Sequence, residues 1–199
     1  MYLTKVNLDL SKRETNIAIF NREILHSMIE NCFSGERQHS LWRLEKTMSG
    51  YSILMLSHSI PNLTSLENQV GQGDGKTVNY DSYLNRICEN GRILNFRISV
   101  NPVVTRDGKR IPLNLRRTES YEYCAEDWFR SRMEMRGADI LNVEFIDAGT
   151  IRIKNKGRLF KVTYQGTLRV VDANKMHELL EHGLGHGKAY GCGLLSVIP

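Results

Sequence analysis

The segment 183–193, GLGHGKAYGCG, is the most unusual stretch of the sequence because five of its eleven residues are glycine. It is not a Walker A loop, since His182 stands where the first glycine belongs and Ala189 replaces the hydroxyl that binds magnesium. Its glycines also follow a predicted helix, the reverse of a dinucleotide-binding turn. A glycine-rich chain can approach a phosphodiester closely through its N–H groups. We predict such contacts for Gly185, Gly187 and Lys188; the alternative is a tight helix-to-strand connector, for which one glycine would suffice.

A basic segment lies between Asp147 and Asp172. It contains six cations and no acid: Arg152, Lys154, Lys156, Arg158, Lys161 and Arg169. Residues 1–96 carry ten basic and ten acidic side chains, whereas residues 97–199 carry seventeen and twelve, so the net charge of +5 comes from the second half. Clustered charge of one sign attracts a polyanion. The alternative is a solvated face of a sheet.

Histidine side chains are candidates for proton transfer, because imidazole titrates near neutral pH. The sequence contains six of them: His26, His39, His58, His177, His182 and His186. A lone histidine on a helix is more often structural or simply exposed than catalytic. Residue type alone therefore does not choose among them.

Several classes of protein are disfavoured by composition. The four cysteines (Cys32, Cys88, Cys124 and Cys192) form no CxxC pair and have no histidine at zinc-finger spacing. We therefore expect reduced thiols, no metal site and no cofactor. The N-terminus has no cleavable signal, and no apolar run approaches the ~18 residues of a membrane span. These features predict a cytoplasmic protein without a membrane partner.

The first half of the chain predicts one compact set of elements. Residues 2–10 alternate as in a half-buried strand, and apolar residues at intervals of three and four predict a helix over 21–33 with Asn21 as its N-cap. Strands are predicted over 41–46 and 51–60, followed by a short helix over 63–70 and a glycine-rich bend over 71–75. We expect this unit to end near residue 91.

The second half repeats this order. Its elements are predicted as strand 93–100, helix 121–135, strands 140–146, 150–154 and 158–171, a helix from Asp172 to Leu180 ended by Gly183 as a left-handed cap, and strand 194–198. Two successive βαββαβ units predict an α+β fold of two tandem ferredoxin-like (RRM-like) domains, 1–91 and 92–199.

At this point the sequence resembles a known family. The tail GLGHGKAYGCGLLSVIP is similar to the C-terminal glycine-rich signature of the repeat-associated RNA-binding superfamily. MYLTKV, LWRLEK, FRISVNPV, Gly108-Lys-Arg110 and TLRVVD resemble CasE-type CRISPR repeat endoribonucleases of type I-E in residue type, order and spacing. The resemblance covers the chain from end to end. It implies tandem ferredoxin-like domains, a CRISPR repeat RNA stem-loop as substrate, and other subunits of a surveillance complex as partners.

The resemblance also implies a reaction that uses no metal ion. The ribose 2′-hydroxyl attacks the neighbouring phosphorus at the base of the hairpin, which leaves a 2′,3′-cyclic phosphate and a 5′-hydroxyl. A base must accept the 2′-OH proton and an acid must protonate the departing 5′-oxygen. His26 matches the catalytic histidine of the family. The family often has a tyrosine three residues earlier, where this chain has Glu23; we expect Glu23 to orient the site, with a plain surface glutamate as the alternative.

Charge on the phosphorane must be neutralised by cations. Lys161 is the first candidate among Lys154, Lys156, Arg158 and Lys161, because it lies on a strand and not in a turn. The resemblance further implies that a basic hairpin with Arg152, Lys154, Lys156 and Arg158 enters the RNA major groove, and that Arg130 and Arg132 near Trp128 hold stem phosphates. A second basic stretch has no assigned role: Lys109, Arg110, Arg116 and Arg117.

Two other functions are compatible with these residues. A non-catalytic repeat-RNA-binding protein would keep the basic hairpin and the glycine-rich segment while His26 does no chemistry. An unrelated tandem ferredoxin-like module for small ligands or proteins would show no tight hairpin binding and little salt dependence.

Overall fold

The computed structural model describes residues 1–35, 40–153 and 157–199. The first half contains strand β1 (Tyr2–Asn7), helices α1 (Arg13–Phe20) and α2 (Arg22–Glu30), strands β2 (Leu41–Thr47) and β3 (Gly50–Ser57), helix α3 (Thr64–Gln69), strand β4 (Lys76–Asn79) and helix α4 (Asp81–Ile87). Its four strands form an antiparallel sheet in the order β2-β3-β1-β4. This is the strand order of a ferredoxin-like βαββαβ unit.

The second half repeats the topology with one insertion. It contains strands β5 (Ile93–Val100), β6 (Val103–Arg106) and β7 (Lys109–Pro112), helix α5 (Ala125–Met135), strands β8 (Ala138–Ile153) and β9 (Gly157–Val170), helix α6 (Ala173–His182), a 3-10 turn (Lys188–Tyr190) and strand β10 (Leu195–Ile198). The sheet order is β10-β5-β9-β8, and β6 pairs with β7 as a separate hairpin. The predicted α+β fold of two ferredoxin-like units is confirmed.

Several predicted elements differ from the structure. Helix α1, strand β4, helix α4 and the β6–β7 hairpin were not predicted, and the helix predicted from residue 121 begins at Ala125. The separate strands predicted over 140–146 and 150–154 were wrong, because β8 is continuous. Bulges at Ile140/Asn142 and Phe145/Asp147 shift which side chains face the core. This shift interrupts the alternation of apolar and polar residues that predicts a strand.

The end of α6 also differs from its prediction. The helix continues through His182, and Gly183 has φ 71° and ψ 170°, which is a positive φ but not the left-handed helical conformation. A methyl group at Gly183 would lie 2.9 Å from both Leu41 Cδ atoms. The glycine is therefore required both by the backbone conformation and by its packing against the first domain.

Apolar residues form two main clusters. One contains Leu25, Ile29, Trp42 and Ile53 and lies within the first sheet unit. The other is centred on the second sheet and also includes Leu84 and Ile87 of α4, Leu41 of β2 and Leu56 of β3. The second core thus receives side chains from the first half of the chain. The domain boundary at residue 91 stays a prediction.

A buried arginine connects the two sheets. Arg43 on β2 is 3% exposed and donates from Nη1 to the carbonyl oxygens of Arg97 and Leu194, at 2.8 Å each. Its other nitrogens bind the Glu45 carboxylate and the Ser196 hydroxyl. A buried charge is tolerated only when its hydrogen bonds are satisfied. Arg43 therefore fixes β2 against β5 and β10.

No helix among the described residues is long and apolar enough to cross a membrane.

Candidate active site and nucleic-acid interface

Helix α2 carries the candidate proton-transfer residue. The Asn21 side chain accepts hydrogen bonds from the N–H groups of Glu23 (3.1 Å) and Ile24 (3.4 Å), so the predicted N-cap is confirmed. Leu25 and Ile29 are buried in the first core. His26 lies on a different face, with 24% of its side chain exposed and its Nδ1 4.0 Å from Glu30 Oε1. The imidazole is thus fixed beside a carboxylate and still reachable from solvent.

The second domain lies directly against this helix. Helix α2 contacts both β8 and the 3-10 turn at Lys188–Tyr190. Burial, together with the negative charge of Glu23, raises the pKa of the Tyr190 phenol. Glu23 therefore lies close to Tyr190, a residue that sequence reasoning did not single out.

Lys161 is on β9, in an ion pair with a residue of β8. Its Nζ lies 3.1 Å from Asp147 Oδ2 and donates to Thr163 Oγ1 at 3.2 Å, and its side chain is 17% exposed. Burial opposes ionisation of Asp147, but the Thr163 hydroxyl and the Lys161 charge outweigh it and lower the Asp147 pKa. Lys161 thus has a fixed position before any ligand binds. Asp147 was missed, because its position depends on the Phe145/Asp147 bulge.

Cys192 marks the place where the two domains meet. Burial raises its thiol pKa to about 12, while the charges of Lys161 and Arg22 act in the opposite direction. Arg22 is the first residue of α2, and Lys161 belongs to β9. Arg22 of α2 and Lys161 of β9 therefore both lie near this buried thiol.

The basic hairpin formed by β8 and β9 has two unlike faces. Ile151 and Leu159 are buried together with Cys192, while Arg152 and Arg158 are exposed. These two arginines are direct cross-strand partners. Like charges opposite each other destabilise a sheet unless an anion binds them. The predicted residues Lys154 and Lys156 lie outside the described residues.

The two arginines predicted on α5 have different surroundings. Arg130 donates from Nε to Glu126 Oε1 (2.9 Å) and from Nη1 to the Ile140 carbonyl oxygen (3.0 Å), so it connects α5 to β8. Arg132 is exposed, and its guanidinium lies 5.8 Å from the centre of the Trp128 ring. Arg132 is therefore the better placed of the two to bind an external anion.

The glycine-rich segment packs against both domains. A methyl group would lie 3.2 Å from the Trp128 ring at Gly185, 2.7 Å from Leu159 Cδ1 at Gly187 and 3.0 Å from the Trp42 ring at Gly191. All three glycines have positive φ. Several glycines are thus required for packing alone, beyond the single glycine of a simple connector. Gly185 is exposed and Lys188 is half-buried, and their contacts with a phosphodiester stay a prediction.

Replacing Gly187 by alanine is expected to lower the thermal unfolding midpoint and to weaken RNA binding. The φ of +87° disfavours a side chain by about 1–2 kcal/mol, and the added methyl would displace Leu159, which lies near the turn end of the basic hairpin. Gly108→Ala is the matched control, because Gly108 also has positive φ (71°) but no atom within 4 Å of an added methyl. Equal losses in the two variants would contradict a packing role for Gly187.

One member of the unassigned basic stretch lies near the glycine-rich segment. Burial lowers the pKa of His186, and the charges of Arg110, Lys188 and Arg132 lower it further. Arg110 thus shares a surface with α5 and the glycine-rich segment. Arg117 instead donates from Nε to Asp127 at 3.0 Å.

Two other histidines lie on or beside α6. His58 and His177 both lie near Glu181, with Nδ1 to carboxylate oxygen distances of 3.7 and 3.8 Å. His182 is exposed at the end of α6, and His39 lies outside the described residues. All four cysteines are unpaired thiols.

Two tandem ferredoxin-like units, one of them with a pair of exposed arginines on its hairpin, are compatible with a nucleic-acid-binding class of protein. The sequence model of the family described as "CRISPR associated protein" matches residues 1–199. The CRISPR-associated endoribonuclease Cse3 of Thermus thermophilus is 27% identical over an alignment of 222 residues that covers 100% of both chains. The chain belongs to this CRISPR-associated family, and the predicted resemblance to CasE-type repeat endoribonucleases is confirmed.

Solved structures agree with this assignment. Thermus thermophilus Cse3 bound to an RNA representing a pre-cleavage complex superposes with a TM-score of 0.84 at 26% identity, covering 100% of this chain and 98% of that chain. A chain of a CRISPR RNA-guided surveillance complex, in a pre-nicking state, superposes with a TM-score of 0.71 at 25% identity, covering 99% of each chain.

Proposed function

We propose that this protein is a metal-independent endoribonuclease that binds the stem-loop of CRISPR repeat RNA and cuts the precursor at the base of the hairpin. The observation that supports the proposal is that α2, which carries His26 and Glu23, packs against β8 and the 3-10 turn, and that Arg22 of α2 and Lys161 of β9 both act on the Cys192 thiol. The first domain then supplies a proton carrier and the second supplies a cation. Intramolecular cleavage of RNA requires both proton transfer and stabilisation of the charge on the phosphorane.

In the reaction, the 2′-oxygen bonds to phosphorus as the bond to the 5′-oxygen breaks. His26 carries one of the two protons, either from the 2′-hydroxyl or to the leaving 5′-oxygen, and the other proton is exchanged with water. Lys161 neutralises the charge that develops on the phosphorane oxygens, and Glu23 orients the site from the turn before His26. The products carry a 2′,3′-cyclic phosphate and a 5′-hydroxyl.

The RNA stem is held by the second domain, which we place at residues 92–199, while the first, 1–91, carries His26. The hairpin residues Arg152, Lys154, Lys156 and Arg158 contact the major groove, Arg132 and Arg130 face stem phosphates, and Gly185, Gly187 and Lys188 approach the backbone. Support comes from the exposed Arg152 and Arg158 pair and from the position of Arg132. Similarity to a surveillance-complex chain supports a role as a subunit of such a complex. We propose that the protein retains its product there, as a type I-E subunit in the cytoplasm.

The test is cleavage of the cognate repeat RNA in the presence of a chelator. Cleavage is expected to continue without divalent metal, to stop when the nucleotide before the cut is 2′-deoxy, and to give a 2′,3′-cyclic phosphate. A folded protein that binds the stem-loop but leaves it intact would instead be the non-catalytic RNA-binding protein. Absence of hairpin binding would contradict the proposal.

Replacing Arg132 by alanine is expected to weaken stem-loop binding and to reduce the slope of log Kd against log salt concentration by about 1, as for one lost phosphate contact. Arg130→Ala is the matched comparison on the same helix. Because Arg130 is bound to Glu126 and Ile140, we expect that variant to lower the unfolding temperature more and the salt slope less. The reverse order would contradict the assignment of Arg132 to the RNA.

A further inference from the structure

Arg22 has a buried N–H group that is unsatisfied among the described residues. Its Nη1 is shielded from solvent and has no hydrogen-bond partner within residues 1–35, 40–153 and 157–199. An unsatisfied buried donor is destabilising, and a charged one is more so. Arg22 lies four residues before His26, so the two side chains are neighbours on one face of α2. The unsatisfied donor is therefore next to the candidate proton carrier.

The positive charge of Arg22 is also poorly compensated. Burial lowers its pKa, while Cys192, Tyr51 and Asp147 act in the opposite direction. Cys192 is a neutral thiol near pH 7, since burial raises its pKa to about 12. Asp147 is the carboxylate among these three groups, and it is already paired with Lys161. Arg22 and Lys161 therefore share this carboxylate.

We propose that Arg22, whose side chain is only partly buried, turns this unsatisfied N–H group outward when RNA binds and donates it to a non-bridging oxygen of the scissile phosphate, and that it keeps hold of the terminal phosphate after cleavage. The inference rests on the proposed ribonuclease function and adds a second cation to it. Arg22 transfers no proton: the 2′-oxygen to phosphorus bond forms and the 5′-oxygen bond breaks as before. The guanidinium stabilises the phosphate charge from the first domain while Lys161 does so from the second.

A terminal phosphate provides a direct probe of this contact. The hairpin-bearing product would be prepared with either a 3′-phosphate or a 3′-hydroxyl, and the affinity of each for the protein measured. A hydrogen bond to a charged group corresponds to about tenfold or more in affinity, so wild-type protein is expected to prefer the 3′-phosphate by about that factor. Arg22→Gln is expected to abolish the preference while leaving affinity for the 3′-hydroxyl RNA within about twofold. In single turnover, Arg22→Gln is expected to cut about 10²-fold more slowly.

Two variants keep the test decisive. Arg13→Gln removes the same charge from an exposed position on α1 and should retain both the preference and the rate. If Arg22→Gln does not fold, Arg22→Lys decides, because a point charge without the guanidinium fork should give an intermediate preference.

An unchanged 3′-phosphate preference in the folded Arg22 variant would overturn the inference, as would an equal loss of affinity for both RNAs. These outcomes are separate from failure of the proposed function, which would appear as wild-type protein that never cleaves its repeat RNA. The end-group comparison uses product RNA and does not require cleavage.

Discussion

Replacing His26 by alanine is expected to lower the single-turnover rate of repeat cleavage by about 10²–10⁴-fold, the usual contribution of a positioned acid or base. Stem-loop binding should change little, because His26 lies on α2 of the first domain and the basic hairpin belongs to the second. The rate would be measured with protein in excess over end-labelled RNA, and binding with a 2′-deoxy substrate that cannot be cut.

His177→Ala is the matched control for this variant. His177 also lies on a helix beside a carboxylate four residues later, with its Nδ1 3.8 Å from Glu181 Oε2. The His177→Ala variant therefore loses an imidazole from similar surroundings outside the candidate site. Its cleavage rate should equal that of the wild type. A His26→Ala protein that cleaves at the wild-type rate would remove His26 from the mechanism.

Replacing Lys161 by methionine is expected to lower the same rate by about 10²-fold, as for removal of one donor that stabilises a developing oxyanion. The substitution also leaves Asp147 without its ion-pair partner at 3.1 Å. A carboxylate without a cation would repel the scissile phosphate, so we expect RNA binding to weaken as well. Lys161→Arg keeps the charge and should retain part of the rate.

The double variant Lys161→Met with Asp147→Asn separates these two effects. Removing the carboxylate should restore RNA affinity towards that of the wild type, because the repulsion is gone. The rate should stay low, because the cation is still missing. If the double variant recovered full activity, Lys161 would act only by neutralising Asp147.

The fold was predictable because its main signals are local. Alternation along β1 and the apolar spacing of α2 each identify an element within a few residues, and Asn21 marks the start of α2. Helix α1 was missed because its burial pattern is weak: Ile17 and Phe20 are exposed. Strand β4 was missed because it is a four-residue edge strand with mostly exposed side chains.

The candidate site was only partly predictable, because it lies where the domains meet. His26 and Lys161 were identified from the family resemblance. Asp147, Tyr190 and Arg22 were not, because their positions depend on a bulge in β8 and on packing of the 3-10 turn against α2. These are contacts between residues far apart in the chain, and no local spacing encodes them.

Arg43 has a consequence for how the protein accepts its substrate. Its hydrogen bonds to Arg97, Leu194 and Ser196 would all break if the two sheets separated. The guanidinium would then be a buried charge without hydrogen-bond partners. The position of β2 relative to β5 and β10 is therefore set when the chain folds. We expect the RNA, and not the two sheets, to change shape when the complex forms.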